Sequence, residues 1–304
     1  MEDIRKLTFI RRHRSALWLN IAEKGAKQHA AIFKVEKPLL SGVIAGYADL
    51  IINWDAALPQ SKYHFEHLTE PAKSAVEKRR DVVIDYYEHP PLRLKKYIRH
   101  LRLKHKQTVC PYCGFRVKPE TLDHFIPKTG WAEYSLLPQN LVPQCSTCAS
   151  IKGPHYAVKD GVRCRYIHPY FFSFLSAVKF KVAIDFDGGR MPDFKISFTV
   201  PPSFSKTIKS RIRTHLDELD VAERMKLWCN ESFLSWQTLL KNNYFDLRQS
   251  LQARLDENAS RKAHDWETAF YMAILNNHEL INYLHAFRPP QPVAITPATA
   301  EETL

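Results

Sequence analysis

No stretch of this sequence comes near the roughly 20 consecutive apolar residues that a helix needs to cross a bilayer. The longest candidate, residues 170–178, is far too short. The opening residues, Met1, Glu2 and Asp3 followed by a mixed charged and apolar stretch, lack the basic start, apolar core and small-residue cleavage site of a secretory leader. A membrane-spanning or exported protein is therefore not expected, and the cytoplasm is the expected compartment. Internal repeats are missing too, so no repeat architecture is expected.

What is present suffices for a folded protein. The chain has 304 residues, 45% of them apolar, enough to core one large domain or two ordinary ones. Its formal charge is +12, from 44 Lys and Arg against 32 Asp and Glu. An excess of that size favours polyanionic partners, although charge alone does not separate nucleic acid from an acidic surface.

The first hundred residues read as helices, with apolar positions three and four apart and few strand-like runs. Ala16, Leu17, Leu19, Ile21 and Ala22 mark one helix, residues 39–54 a second and residues 72–87 a third, which His89, Pro90 and Pro91 end. Next comes the most basic segment, with Arg93, Lys95, Lys96, Arg99, Arg102, Lys104 and Lys106 and no acid among them. Leu94, Ile98 and Leu101 share one face of a helix over residues 92–106, which leaves the cations for the rest of its surface. A solvated face is the plain reading. Contact with nucleic-acid phosphates is the favoured one, because the segment directly precedes the cysteine unit described below.

Beyond residue 179 the pattern changes. Phe180, Val182, Ile184 and Phe186 alternate, Asp187, Gly188 and Gly189 supply a turn, and Phe194, Ile196, Phe198 and Val200 alternate on the return. That is a β-hairpin over residues 179–200. Asp185 and Asp187, beside a Gly-Gly turn, are read as turn formers rather than metal ligands. After Pro201 and Pro202 helical spacing resumes through Ile208, Ile212, Leu216 and Leu219 and later Leu234, Leu239 and Leu240. Arg211, Arg213 and His215 read as a solvated basic face. Residues 289–304, rich in Pro, Ala and Thr without periodicity, read as a disordered tail.

Of six cysteines, four form two C-x-x-C pairs, Cys110/Cys113 and Cys145/Cys148. In a reducing compartment such pairs argue for metal rather than disulfides, and four thiolates are the ligand set of a closed tetrahedral structural zinc site. Cys164 and Cys229 stand alone and read as small buried hydrophobes. The segment between the pairs is longer than a simple zinc ribbon requires. It contains Leu122-Asp123-His124-Phe125-Ile126-Pro127-Lys128 and Asn140-Leu141-Val142-Pro143-Gln144, and beyond Cys148 come Ile151-Lys152-Gly153.

These landmarks resemble the HNH, or ββα-metal, endonuclease family in its four-cysteine form. The resemblance covers residues 110–153, and His168-Pro169-Tyr170-Phe171 is similar, more weakly, to a stretch that follows the module in larger bacterial HNH proteins. It implies a ββα-metal module, taken as residues 107–160, within a mainly α chain: a helical region 1–106 before it, and the hairpin and helices of 161–288 after it. It implies metal-dependent hydrolysis of nucleic acid, most simply double-stranded DNA. His124 would be the general base, neutral enough near physiological pH to accept a proton. Asp123, pointing to the other side of the strand, would be a hard oxygen ligand for Mg²⁺ or Mn²⁺. Asn140 would pin the hairpin by bonding backbone, and Lys152 would contact a phosphate. The long flanks suggest a docked partner, as in the HNH (PtuB-like) subunits that act with an ATPase in bacterial anti-phage defence.

One position departs from the family. Ala149 directly follows the fourth cysteine, where the family has His or Asn as the metal's second protein ligand, and a methyl group coordinates nothing. Three accounts fit: a naturally impaired copy, substitution by another group such as His155, or deliberate inactivation. The last is favoured, because every other landmark is intact. The competing function is a zinc-stabilised nucleic-acid or protein-binding module with a dead site. Against it stand the retained Asp123, His124 and Asn140. A zinc hydrolase is set aside, since four thiolates leave no place for water.

Overall fold

In the computed structural model, residues 12–157, 163–189, 191–257 and 264–290 are described. The tail expected from residue 289 lies outside them from residue 291 onward. Helices dominate, and two small antiparallel hairpins are the strands present among the described residues. No described helix is long and apolar enough to cross a membrane.

Helices α1 (Arg12–Glu23) and α2 (Ala30–Ile52) pack on each other. Along α2 the buried positions Phe33, Glu36, Leu40, Ile44, Tyr47 and Ile51 recur every three or four residues, the spacing that keeps one face inward. This helix begins well before residue 39, where the sequence pattern placed its start, and runs through Pro38. Pro38 cannot donate into the helix, but it sits on the exposed face, away from the buried positions of α2. The buried acid Glu36 is met by the Arg79 Nε at 2.6 Å and the Tyr63 hydroxyl at 2.8 Å, which ties α2 to α3 (Ala72–Glu88).

After Pro90 and Pro91, α4 (Leu92–Leu103) buries Leu94 and Ile98 and keeps Arg93, Lys95, Lys96 and Arg99 exposed, the division its sequence predicts. The helix stops at Leu103, so Lys104 and Lys106 follow it on exposed backbone.

The cysteine-rich unit folds in the order strand, strand, helix. β1 (Thr121–His124) pairs antiparallel with β2 (Leu141–Gln144), with Asp123 opposite Val142 and His124 opposite Leu141. Pro143 is tolerated because the sheet has two strands and β2 has a free edge. α5 (Ser146–Lys152) then packs against β1.

The second hairpin, β3 (Lys179–Asp185) with β4 (Asp193–Thr199), sets Phe180 opposite Phe198, Val182 opposite Ile196 and Ile184 opposite Phe194. Its apolar face is covered by α9 (Trp266–Leu275) on β3 and α7 (Val221–Asn242) on β4. Asp185 pairs with Lys195 at 2.8 Å, and Asp187 accepts the Gly189 amide at 3.2 Å, a strand-end ion pair and a turn. α6 (Lys206–Glu218), α8 (Leu247–Glu257) and α10 (His278–His285) complete the C-terminal helices. Cys164 and Cys229 are buried.

Two helical faces differ from their sequence reading. On α7 the inward face is Met225, Cys229, Phe233 and Leu240, whereas Leu234 and Leu239 are each 47% exposed. On α6, Arg211 and His215 are buried, and Arg213 alone of the three is solvated. Arg211 bonds the Cys164 and Tyr166 carbonyls and lies over the Trp54 ring. His215 accepts the Ile167 amide and lies 3.1 Å from the Tyr112 carbonyl. Charge along a helix does not show which cations have buried carbonyls to meet.

Gly114, in the first cysteine turn, has φ +76°, and a Cβ there would come within 2.6 Å of the Phe180 ring. Both the left-handed backbone and the approach of β3 require glycine. Gly114→Ala is expected to lower unfolding stability by about 2 kcal/mol or more, read as a lower urea midpoint. An unchanged midpoint would contradict this packing.

Candidate functional site

The four cysteines of the two pairs are buried with their sulfurs all within 4.8 Å of one another. Cys110–Cys148 and Cys113–Cys145 are each 3.9 Å apart, close to the ~3.8 Å edge that four Zn–S bonds of about 2.3 Å give a tetrahedron. The site therefore fits a structural metal such as zinc. Local structure builds it. Cys145 is the N-cap of α5, its sulfur accepting the Cys148 amide at 3.4 Å, and the Cys145 amide in turn donates to the Cys110 sulfur at 3.4 Å.

The hairpin between the pairs presents Asp123 and His124 to opposite sides. Asp123 turns toward α5, where the fully buried Lys152 lies 2.8 Å from its Oδ2 and donates to the His124 carbonyl at 2.9 Å. Lys152 is thus a latch between α5 and β1, and the phosphate contact expected of it is not open to it here. Burial pushes the Asp123 carboxyl up to about 6, against the pull of Lys152.

His124 faces α3. The Tyr87 ring meets it edge-on with centroids 4.4 Å apart. Its Nε2 lies 3.0 Å from the Ser135 carbonyl oxygen, which only accepts, so Nε2 carries the proton and Nδ1 holds the lone pair. Burial lowers His124 to about 3, which keeps the imidazole neutral.

Asn140 closes the loop between the strands. Its side chain accepts the Ile126 amide at 2.8 Å and donates to the Ile126 carbonyl at 2.9 Å and the Tyr134 carbonyl at 3.1 Å. The Tyr47 hydroxyl on α2 donates to the same Asn140 oxygen at 2.8 Å and lies 3.3 Å from His168 Nε2. Burial lowers His168 to about 3 as well. Residues 168–171 thus reach the hairpin through a buried polar chain that cysteine spacing did not reveal.

Ala149 is half-buried on α5, one turn before Lys152, and His155 is exposed beyond the helix. Among the described residues, the four cysteines form the one group of three or more potential ligands, and Asp123 belongs to none. One carboxylate already facing an ammonium does not fit a catalytic divalent ion. Six of the seven cations assigned to nucleic acid are exposed. Arg102 is half-buried, and its charge lies close enough to the Tyr87 hydroxyl to lower that group's pKa against burial, so the basic helix reaches the side of the hairpin that presents His124.

No known family model matches the chain, and no solved structure matches it. Protein ea31 of Escherichia phage lambda is similar to part of it, 30% identical over 119 residues, or 39% of this chain and 40% of that protein. The chain spans about two-fifths of the length of that relative.

Stability should follow the two buried imidazoles. With native values about 3 for His124 and His168 and about 6.5 unfolded, the unfolded state binds both protons between pH 4 and 6. Asp123, native about 6 against about 3.9 unfolded, works the other way by one proton. The net excess of one proton on the unfolded chain makes stability fall by about 1.4 kcal/mol per unit as pH drops from 6 to 4. His168→Gln should remove most of that slope. Urea unfolding at pH 4, 5 and 6 measures it, and a parent chain equally stable at pH 4 and 6 would contradict the assignment.

Proposed function

We propose that the chain is a metal-dependent endonuclease of the HNH type, hydrolysing phosphodiester bonds of nucleic acid, double-stranded DNA first among them, with its centre impaired at Ala149. The observation that supports this most is the setting of His124: a neutral imidazole with its tautomer fixed by Ser135, on the first strand of a ββα unit, beside a basic helix. Zinc held by Cys110, Cys113, Cys145 and Cys148 is the frame of that unit, and it does no chemistry, since four thiolates close its coordination.

In this reading water adds to phosphorus while its proton passes to His124 Nδ1, the P–O bond to the sugar oxygen breaks, and that oxygen leaves as the sugar hydroxyl after taking a proton from solvent. A phosphate anion near the ring would raise the imidazole from about 3 toward the range suited to proton transfer. The exposed Arg93, Lys95, Lys96, Arg99, Lys104 and Lys106 would bind backbone phosphates without reading bases. A divalent ion at Asp123 would supply charge neutralisation at the scissile phosphate, but with Ala149 the donor set is too small to hold one. The role in anti-phage defence with a partner ATPase is proposed from the family resemblance alone.

A second reading has an observation of its own. Lys152 balances the Asp123 charge in place of a metal, which suits a binding module whose nuclease site is retired. Plasmid cleavage with Mg²⁺ or Mn²⁺, and with EDTA as control, separates the two. Ala149→Asn is expected to raise cutting by orders of magnitude, and adding His124→Ala is expected to abolish it. DNA binding without cutting by the Ala149→Asn protein would favour the binding module.

A further inference from the structure

The four sulfurs divide into two pairs by what donates to them. Cys110 accepts the Cys145 amide and Cys145 accepts the Cys148 amide, each at 3.4 Å. Those are backbone donors of the kind a cysteine turn at a helix N-terminus supplies by itself. Cys148 and Cys113 receive theirs from one side chain far along the sequence: Arg224 on α7, with Nη1 3.6 Å from the Cys148 sulfur and Nη2 3.8 Å from that of Cys113. The fork of one guanidinium thus spans the two sulfurs that the backbone donors do not reach.

We infer that Arg224 is part of the metal site, an outer cation that completes the donor set of the four thiolates and joins the C-terminal helices to the metal. The charge argument is direct. A divalent ion with four thiolates has net charge −2, and the sulfurs are buried, so uncompensated charge there is costly. Arg224 supplies +1 at contact distance, and its planar fork suits two acceptors at once, which a lysine cannot match. The guanidinium is itself held: Nη1 also donates to the Leu219 carbonyl at 2.9 Å, and the Trp266 ring lies beneath at 5.6 Å. Trp266 in turn donates its indole N–H to the Cys113 carbonyl at 2.8 Å, so α9 is fastened to the same turn.

The inference rests on the zinc reading of the cysteine cluster, so the full-length parent is assayed first for bound zinc. Its absence would remove the zinc reading itself. With zinc present, release to a colorimetric chelator is timed for the parent, Arg224→Met and Arg224→Lys. Outer groups around a metal are typically worth 10-fold or more in affinity, so Arg224→Met is expected to release zinc at least about tenfold faster. Arg224→Lys, with charge but no fork, should fall between Met and parent. If Arg224→Met does not fold, Arg224→Lys decides: faster release at an unchanged melting temperature supports the role, and parental release overturns it. Parental release from a folded Arg224→Met protein overturns it outright.

Discussion

Four cysteine sulfurs held within 4.8 Å of one another in a buried place can hold a structural metal such as zinc, and as thiolates they would need a cation among them. That constraint organises the middle of the molecule. The first cysteine turn is tight enough to require Gly114, and Phe180 of β3 packs against that glycine. The second turn starts α5, whose N-cap, Cys145, is itself one of the four cysteines, so helix and cluster begin at the same residue. From the other side, α7 and α9 bring Arg224 and Trp266 to the cluster. The cysteine cluster is therefore the joint at which the hairpin unit and the C-terminal helices meet, rather than an isolated staple.

The hairpin carried by this joint is fixed by polar contacts in its interior. Asn140 meets backbone at Ile126 and Tyr134, Lys152 latches α5 to the His124 carbonyl, and Tyr47 reaches in from α2. Each is buried, so each would be costly to leave unpaired. The result is a rigid seat for His124, with Tyr87 against one edge of the imidazole and the Ser135 carbonyl holding Nε2. Preorganisation of this kind is what proton transfer asks of a base. The weak point is on α5. In the proposed nuclease the position expected to supply the metal's second ligand beside Asp123, Ala149, carries a methyl group, and Lys152 lies against the Asp123 carboxylate.

Much of this was legible in the sequence where period or spacing carries the physics. The helix at α3, the apolar face of α4 and the hairpin over residues 179–200 follow from 3.6 and 2.0 periodicities, and the cysteine cluster follows from two C-x-x-C pairs. Errors arose where a residue's fate depends on a distant partner. Pro38 hid the first part of α2, because its tolerance depends on which face is solvated. Arg211 and His215 looked like surface charges until the carbonyls of Cys164, Tyr166 and Tyr112 were placed beside them. Lys152 looked like a phosphate ligand for the same reason. Arg224 had no local signal at all, since it is 111 positions from Cys113 and its neighbours spell an ordinary helix.

Metal content is the most direct test of this account. Full-length protein purified without chelators, measured by inductively coupled plasma mass spectrometry against amino-acid analysis, should hold one zinc per chain. Cys145→Ser, which removes one of the four thiolates while leaving a residue able to cap α5, should lose it. A parent that carries no metal, with Cys110, Cys113, Cys145 and Cys148 all freely alkylated in the native state, would contradict the central claim that a metal joins the two halves of the fold.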